Sequence, residues 1–406
     1  MPAFTAATVL SPRGAIDRGV LLVDGGTVVS ADPPAAYVQD SARSAAAIVD
    51  FGRAVIAPGY FDLHIHGGGG FDVMDDDADA LPAIERLLAR HGVTSYLPTT
   101  VTAPLDTTLR ALERLAAAIE AREIDRTKMR GALTGRPTSR ESFAGRAQPL
   151  GIHLEGPFIS HARRGVHPLQ DLLPPTISTL ERLWQAARGR IRMMTIAPEL
   201  DGAIELIAAA VERGVCVSLG HSDADFETTE RAIAAGARHS THTFNAMRPL
   251  GHRDPGIIGS LLTNDLVTAD LIADGIHLDP AIVKLIAHTK GREKTVVITD
   301  AISATGKPDG RYHLGSMEVE VKGGRCESGG KLAGSVLTMD AAVRNLAKFA
   351  GWELSEAVAT ASRNPALVLG SNNKGVLAPG ADADFLVLDC EGRVLRTFAG
   401  GMECLS

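Results

Sequence analysis

The sequence has few cysteines, no excess of basic charge and no long apolar segment, and each shortage excludes a class of protein. Its four cysteines are scattered over 406 residues, so neither a disulfide framework nor a CxxC metal site is expected. The net charge of −7 provides no basic face for nucleic acid or an anionic membrane. No apolar run reaches about 18 residues and the first residues lack signal-peptide features, so we expect a soluble cytoplasmic protein.

Both ends of the chain are rich in short apolar segments separated by turns. Residues 19–23 and 27–29 flank an Asp24-Gly25-Gly26 turn, which predicts a β-hairpin. Residues 375–398 repeat this texture. We therefore expect residues 1–57 and 371–406 to form one small β-sheet domain, and residues 58–370 to form the catalytic domain.

The middle of the chain alternates short apolar segments with segments of helical spacing, which predicts βα units and a parallel sheet. The candidate strands are residues 59–63, 94–98, 151–154, 192–196, 215–219, 239–241, 267–272 and 295–299. Eight such strands over about 310 residues predict an α/β fold of the (β/α)₈ TIM-barrel type. An open doubly wound sheet is the alternative, but no GxGxxG motif opens the first helix.

The segment at residues 123–148 fits neither pattern, because it is long, polar and rich in arginine. A cationic lid that attracts an anionic substrate is one interpretation. A solvated surface insertion is the interpretation we favour, since long polar loops are usually of this kind.

Side chains that bind metals follow the predicted strands at the points where the strands end. In a TIM barrel these carboxyl ends form the active-site rim, and residues i and i+2 of a strand point the same way. The candidates are His64, His66, Glu155, His221, His242 and Asp300. A single HxH motif is more often a pair of structural histidines, but the full set predicts a site for Zn²⁺ or a similar divalent ion.

Asp300 differs from the other candidates because it follows the last predicted strand. A carboxylate there can take a proton from a metal-activated water and return it to a leaving group. The alternative is a helix N-cap, which does not exclude the catalytic role.

Several longer motifs resemble a known family. They are PGYFDLHIHG at residues 58–67, HLEGPF at 153–158, HTFNAMRP at 242–249, ADGIH at 273–277 and LAGS at 332–335. The first is similar to the amidohydrolase superfamily, and the others resemble its N-acetylglucosamine-6-phosphate deacetylase family. The similarity runs in order from about residue 58 to the C-terminus.

The resemblance implies a metal-dependent barrel with a small β-sandwich formed by both terminal segments, in a homodimer. It implies hydrolysis of N-acetylglucosamine 6-phosphate to glucosamine 6-phosphate and acetate. Glu155, His221 and His242 match the metal ligands, and Asp300 matches the catalytic acid/base. Some family members lack the HxH pair and hold one metal. This chain keeps His64 and His66, so a second ion, also bound by Glu155 and Asp300, is expected.

The resemblance also implies the substrate contacts. The matching positions are Val166, His167, Asn245, Ala246, Arg253, Asp274, His277, Leu332, Ala333 and Gly334. Arg253 matches an arginine that meets the phosphate from the neighbouring subunit of a dimer. Without the resemblance, a surface ion pair with Asp254 is an equal alternative for Arg253.

Three other functions remain open at this point. The chain could deacetylate another acetamido sugar phosphate, or run another amidohydrolase reaction such as that of a cyclic amidase or a deaminase. It could also be an inactive barrel that serves as a scaffold, although every catalytic position is filled. Zn²⁺ is the favoured metal, and Fe²⁺, Mn²⁺ and Co²⁺ suit the same ligands.

Overall fold

The computed structural model describes residues 1–39, 48–132 and 146–404. Short strands and one helix precede the barrel. They are β1 (Ala3–Thr5), β2 (Thr8–Ser11), β3 (Gly14–Asp17), β4 (Val20–Asp24), β5 (Thr27–Asp32), α1 (Pro34–Gln39), β6 (Ile48–Asp50) and β7 (Val55–Pro58). Strands β4 and β5 pair antiparallel around the predicted turn, which confirms the hairpin.

The next part of the chain alternates strands and helices. Its elements are β8 (Tyr60–Ile65), β9 (Gly67–Gly68), β10 (Phe71–Asp72), α2 (Ala80–Arg90), β11 (Val93–Thr100), α3 (Leu105–Ala132), β12 (Gln148–Pro149), β13 (Ile152–Glu155), a 3₁₀ turn (Leu169–Asp171), α4 (Ile177–Ala186), β14 (Ile191–Ile196), α5 (Ala203–Glu212), β15 (Cys216–Leu219), α6 (Phe226–Ala234), β16 (His239–Ser240), α7 (Gly256–Thr263), β17 (Thr268–Ile272), α8 (Pro280–Lys294) and β18 (Thr295–Ile298).

The last third of the chain adds a small sheet, three helices and the C-terminal strands. These elements are β19 (Gly310–Leu314), β20 (Met317–Lys322), β21 (Arg325–Ser328), β22 (Lys331–Leu332), α9 (Met339–Ala350), α10 (Leu354–Thr360), α11 (Arg363–Val368), β23 (Phe385–Leu388), β24 (Val394–Ala399) and β25 (Met402–Glu403). No helix of the described residues has both the length and the apolar character needed to cross a membrane.

Eight parallel strands form a barrel in the order β8, β11, β13, β14, β15, β16, β17 and β18. The barrel closes between its last and first strands, where the Asp300 amide donates to the His64 carbonyl (2.9 Å) and the His66 amide donates to the Ala301 carbonyl (2.8 Å). Closure confirms the predicted TIM barrel and excludes the open doubly wound sheet. A continuous apolar cluster fills the space between strands and helices.

The two chain ends form a β-sandwich, as expected. One sheet has the order β5-β4-β1-β6, and the other has the order β25-β24-β23-β7-β2-β3. Phe4 from the first sheet packs against Phe385 and Phe398 from the second, with ring centroids 4.9 and 5.4 Å apart. The exact domain boundaries at residues 57/58 and 370/371 stay a prediction.

The sheet β19-β20-β21-β22 was not predicted from the sequence. Its inward side chains Leu314, Val319 and Val321 form an apolar cluster with residues of the barrel rim such as Val101 and Ile302. The buried Asp72 carboxylate fastens it, because Asp72 Oδ2 accepts a hydrogen bond from the amide of Gly315 in the β19–β20 turn (2.8 Å). This sheet therefore sits against the carboxyl ends of the barrel strands.

The described parts of the arginine-rich segment 123–148 lie at the other end of the barrel. Helix α3 continues through Glu123 to Ala132, and Glu123 forms an ion pair with Arg190, directly before β14 begins. Amino ends of barrel strands lie opposite the active-site rim. These parts therefore do not form the cationic lid, while residues 133–145 lie outside the described residues.

Lys374 pairs with two buried carboxylates within the C-terminal segment. Its Nζ lies 2.9 Å from Asp382 Oδ2 and 2.5 Å from Asp384 Oδ2, and all three side chains are at most 5% exposed. Removing one partner of a buried ion pair leaves an uncompensated charge. We expect Lys374→Ala to lower the free energy of unfolding by about 3–5 kcal/mol, measured by urea denaturation.

A surface lysine provides the control for this variant. Lys294 Nζ lies 3.1 Å from Asp265 Oδ1, but that carboxylate is almost fully exposed. Lys294→Ala is expected to unfold like the wild type. Equal stability of Lys374→Ala and the wild type would show that the buried cluster does not stabilise the fold.

Candidate active site

The predicted metal-binding side chains meet at the carboxyl rim of the barrel. His64 lies in β8 and His66 follows it, and Glu155 is the last residue of β13. The other three follow strand ends in a left-handed backbone conformation, with φ of 46° at His221, 31° at His242 and 51° at Asp300. Residues with a side chain rarely adopt this region, and such strain is typical of functional sites.

Glu155 lies at the centre of this group. Its Oε1 atom is 3.1 Å from His242 Nε2, 3.2 Å from His221 Nε2 and 3.5 Å from His64 Nε2. Its Oε2 atom is 3.2 Å from His66 Nε2. Two sets of ligand atoms result, each within 4.8 Å of one another and sharing Glu155: one with His64 and His66, one with His221 and His242.

Asp300 adjoins the first of these sets. Its Oδ1 atom lies 3.2 Å from His66 Nε2 and 3.5 Å from His64 Nε2. The Nε2 atoms of His64 and His66 are themselves 3.1 Å apart. Nitrogen atoms this close, turned toward two carboxylates, are the arrangement that a divalent cation requires.

Hydrogen bonds on the far side of two rings direct their Nε2 atoms toward the cluster. His66 Nδ1 donates to the Thr99 carbonyl (2.9 Å), and His221 Nδ1 donates to the Arg163 carbonyl (2.9 Å). A proton on Nδ1 leaves the Nε2 lone pair free for a metal. The residues present therefore fit a metal site.

The charges of the cluster oppose the effect of burial on the pKa values. Burial raises the pKa of Glu155, but the surrounding histidines, His64 first, hold it well below its usual range. Burial also raises the pKa of Asp300, but the side-chain contact with His66 and the charges of His64 and His66 hold it below its usual range. Both carboxylates are therefore ionised at neutral pH, as metal ligands and general bases must be.

His167 contacts the cluster without joining either set of metal-binding residues. Its Nδ1 atom accepts from the Thr102 amide (3.4 Å) and lies 2.8 Å from Thr102 Oγ1, and its Nε2 atom is 3.6 Å from Glu155. Burial, followed by the charge of His221, lowers the pKa of His167 to about 3. The ring is therefore neutral with its proton on Nε2, which makes Nε2 a hydrogen-bond donor at the site.

The structure brings most of the other predicted residues to the same rim. Asn245 and Ala246 form the turn after His242, and the Ala246 carbonyl accepts from the Ser222 amide (3.0 Å). Gly334 passes directly behind Asp300, where a Cβ would lie 3.0 Å from the Asp300 carbonyl oxygen. Val166 packs on the apolar cluster of the β19–β22 sheet, as Ala333 does next to Leu332.

Asp274 and His277 lie on the loop after β17. Asp274 Oδ2 is 2.7 Å from His277 Nδ1, and Asp274 Oδ1 accepts from the His277 amide (2.8 Å). This contact fixes the imidazole and leaves its Nε2 atom for another partner.

Arg253 is exposed on the surface of the single chain. The alternative ion pair with Asp254 is wrong, because Asp254 binds Arg248 instead, with Arg248 Nη2 2.5 Å from Asp254 Oδ2. The chain turns back at residues 250–255, and this turn brings the Asp254 carboxylate to Arg248 and not to Arg253.

Two buried aspartates that hold the site were not predicted. Asp62 Oδ2 accepts from Thr299 Oγ1 (2.5 Å), which ties β8 to the strand before Asp300. Asp270, fully buried in β17, accepts from the backbone amide of His242. A charged residue inside an apolar strand was the available signal in both cases, since buried charges need partners.

Comparison with known proteins agrees with this geometry. Residues 55–404 match the amidohydrolase family. The chain belongs to the amidohydrolase family. Members of this family are metal-dependent hydrolases, and the paired His and Glu sets described above are consistent with that membership.

Individual relatives in the amidohydrolase family cover almost the whole chain. N-acetylglucosamine-6-phosphate deacetylase from Bos taurus is 39% identical over 412 residues, 98% of this chain and 94% of the relative. N-acetylgalactosamine-6-phosphate deacetylase from Escherichia coli O157:H7 is 38% identical, over 95% and 94%. The crystal structure of N-acetyl-D-glucosamine-6-phosphate deacetylase from Mycobacterium smegmatis is similar with a TM-score of 0.86, 35% identity and full coverage of both chains.

Because Glu155 belongs to both sets of potential ligand atoms, its substitution tests the metal site directly. We expect Glu155→Gln to weaken Zn²⁺ binding by more than about 100-fold, because loss of an outer partner alone weakens metal sites 10–100-fold. Zn²⁺ affinity is measured by chelator competition on metal-stripped protein. Glu205→Gln, an exposed carboxylate on α5, is the control and keeps wild-type affinity. Unchanged affinity in Glu155→Gln would exclude Glu155 as a ligand.

Proposed function

We propose that this protein hydrolyses the acetamide of N-acetylglucosamine 6-phosphate to glucosamine 6-phosphate and acetate. The observation that carries the proposal is the convergence of four histidines, Glu155 and Asp300 at one barrel rim. Relatives named N-acetylglucosamine-6-phosphate deacetylase are similar to this protein over nearly the whole chain.

The proposed cofactor is one or two divalent metal ions per subunit. Glu155, His221 and His242 would hold the first, and His64, His66, Glu155 and Asp300 would hold the second. Zn²⁺ is the favoured ion because imidazole and carboxylate ligands suit it, although Fe²⁺, Mn²⁺ and Co²⁺ accept the same ligands. When bound, such an ion lowers the pKa of water toward neutrality and polarises the acetyl carbonyl.

Asp300 is the proposed general base and acid. Because its carboxylate is ionised at neutral pH, it can accept a proton from the attacking water. It then returns that proton to the amine nitrogen as the C–N bond breaks. His167 is the proposed donor of a hydrogen bond from Nε2 to the oxygen that gains charge during attack.

The sugar ring and the phosphate group would be bound at a distance from the amide bond that breaks. Val166, Asn245, Ala246, Asp274, His277 and residues 332–334 are the proposed contacts of the sugar and phosphate. Arg253 is exposed on its own subunit, which fits a homodimer in which it binds the phosphate in the neighbouring site. Guanidinium and imidazole are suitable donors for a dianion.

The proposed reaction places the enzyme in the cytoplasm, because a sugar phosphate dianion does not cross a lipid bilayer unaided.

A second candidate substrate is the galactosamine epimer. The similarity to an N-acetylgalactosamine-6-phosphate deacetylase at 38% identity supports testing it.

The deciding experiment measures acetate release by Zn²⁺-loaded protein. We expect turnover of N-acetylglucosamine 6-phosphate, and much less of N-acetylglucosamine and N-acetylgalactosamine 6-phosphate. Equal turnover of all three compounds would keep the deacetylase chemistry and reject the substrate preference. No turnover by metal-loaded protein would reject the proposed function in favour of another amidohydrolase reaction.

Substitution of the proposed base separates chemistry from binding. Asp300→Asn is expected to lower kcat by about 10²–10⁴-fold with a small change in KM, because proton transfer fails while the substrate contacts remain. Steady-state kinetics at saturating Zn²⁺ provides the measurement. Asp201→Asn, an exposed carboxylate before α5, serves as the control with wild-type kcat. A normal kcat for Asp300→Asn would assign the proton transfers to another group.

A further inference from the structure

The left-handed backbone of His221 needs support from its neighbours, since a residue with a side chain adopts φ of 46° only when surrounding contacts impose it. Two of these contacts come from the segment between β13 and α4. The Arg163 carbonyl accepts from His221 Nδ1 (2.9 Å), and the Ser160 amide donates to the His221 carbonyl (2.9 Å). The orientation of the His221 ring therefore depends on where Arg163 lies.

Arg163 is itself fixed by the residues that follow His221. Its Nε donates to Asp223 Oδ1 (2.7 Å). Asp223 is held in turn by Glu199, on the loop after β14, since Glu199 Oε1 accepts from the Asp223 amide (2.7 Å). Glu199 Oε2 accepts from Ser222 Oγ (2.7 Å). Arg163, Asp223 and the backbone between Asp223 and His221 therefore form a closed ring of contacts, and Glu199 braces this ring from the loop after a third barrel strand.

The same segment approaches His221 closely and continues into two proposed substrate contacts. A Cβ on Gly165 would lie 3.3 Å from His221 Cε1, and the Gly165 carbonyl accepts from Lys331 Nζ (3.3 Å) in the β22 strand. Val166 and His167 follow directly. A shift of Arg163 would therefore move both the His221 ring and the start of the substrate loop.

We propose that Arg163 and Asp223 are a pair of positioning residues that set the His221 ring for metal binding and the 163–167 loop for substrate. The two side chains are 34% and 39% exposed, so their attraction contributes little to the stability of the fold. Their role is to fix positions. The Arg163 carbonyl accepts from the His221 ring, and the Arg163 side chain is anchored by Asp223, so the carbonyl is held where the ring needs it. The substrate half of this inference rests on the proposed function, and the metal half does not.

The test compares Arg163→Ala and Asp223→Asn with an ion pair of similar exposure at the opposite end of the barrel. Arg213 Nη2 lies 3.0 Å from Glu181 Oε2, with exposures of 27% and 42%, so Arg213→Ala is the matched control. Zn²⁺ affinity of metal-stripped protein is measured by chelator competition. We expect both test variants to bind Zn²⁺ about 10–100-fold more weakly, with Arg213→Ala unchanged.

Four further measurements distinguish positioning from general support of the fold. The Tm of the metal-stripped variants should equal that of the wild type. Arg163→Lys, which keeps a cation opposite Asp223, should recover most of the affinity. The double variant should bind Zn²⁺ as a single variant does, because the two residues act through one contact. At saturating Zn²⁺, KM for the sugar phosphate should rise more than kcat falls.

Wild-type Zn²⁺ affinity in Arg163→Ala and Asp223→Asn would overturn the inference. An equal loss in Arg213→Ala, or a lower Tm of the metal-stripped test variants that accounts for the weaker binding, would also overturn it. Failure of the proposed function gives a different result. In that case the wild type releases no acetate, while Arg163→Ala still weakens Zn²⁺ binding and supports the positioning pair.

Discussion

The carboxylate of Glu155 lies within 3.1–3.6 Å of the Nε2 atoms of five histidines: His64, His66, His167, His221 and His242. One buried anion surrounded by so many rings is stable only if the rings are held in fixed orientations and a cation shares the charge. Most features of the barrel rim serve this requirement. They include the backbone carbonyls behind two rings and the left-handed turns that bring side chains inward.

The barrel itself provides the rigid frame for these orientations. Its first and last strands meet beside the two carboxylates, where Asp62 and Thr299 join them below His64 and Asp300. Because the seam is closed by backbone and side-chain hydrogen bonds, the proposed base cannot drift from the histidines it faces. Loops alone would not hold several ligands to the tolerance that metal coordination needs.

The sequence was sufficient for the features that depend on local patterns. The eight strands, the hairpin near the N-terminus and the meeting of the candidate metal ligands at the strand ends follow from periodicity and turn residues. Contacts between distant loops were not predictable, because spacing does not show that Arg163 meets Asp223 or that Arg248 meets Asp254.

The β19–β22 sheet could have been predicted from the sequence, since residues 317–322 alternate between exposed and inward-facing side chains. Asp62 and Asp270 were visible as charges in apolar strands, but their partners were not.

The sandwich built from both chain ends has a consequence for the order of folding. Strands β7 and β23 pair directly, although Pro58 and its partner Phe385 are separated by 327 residues. In an unfolded chain, bringing these segments together costs the entropy of closing a very long loop. A formed barrel removes most of that cost, because it already holds its entry and exit points side by side. The second sheet can therefore assemble only late, after the last strands have been synthesised and the barrel has closed.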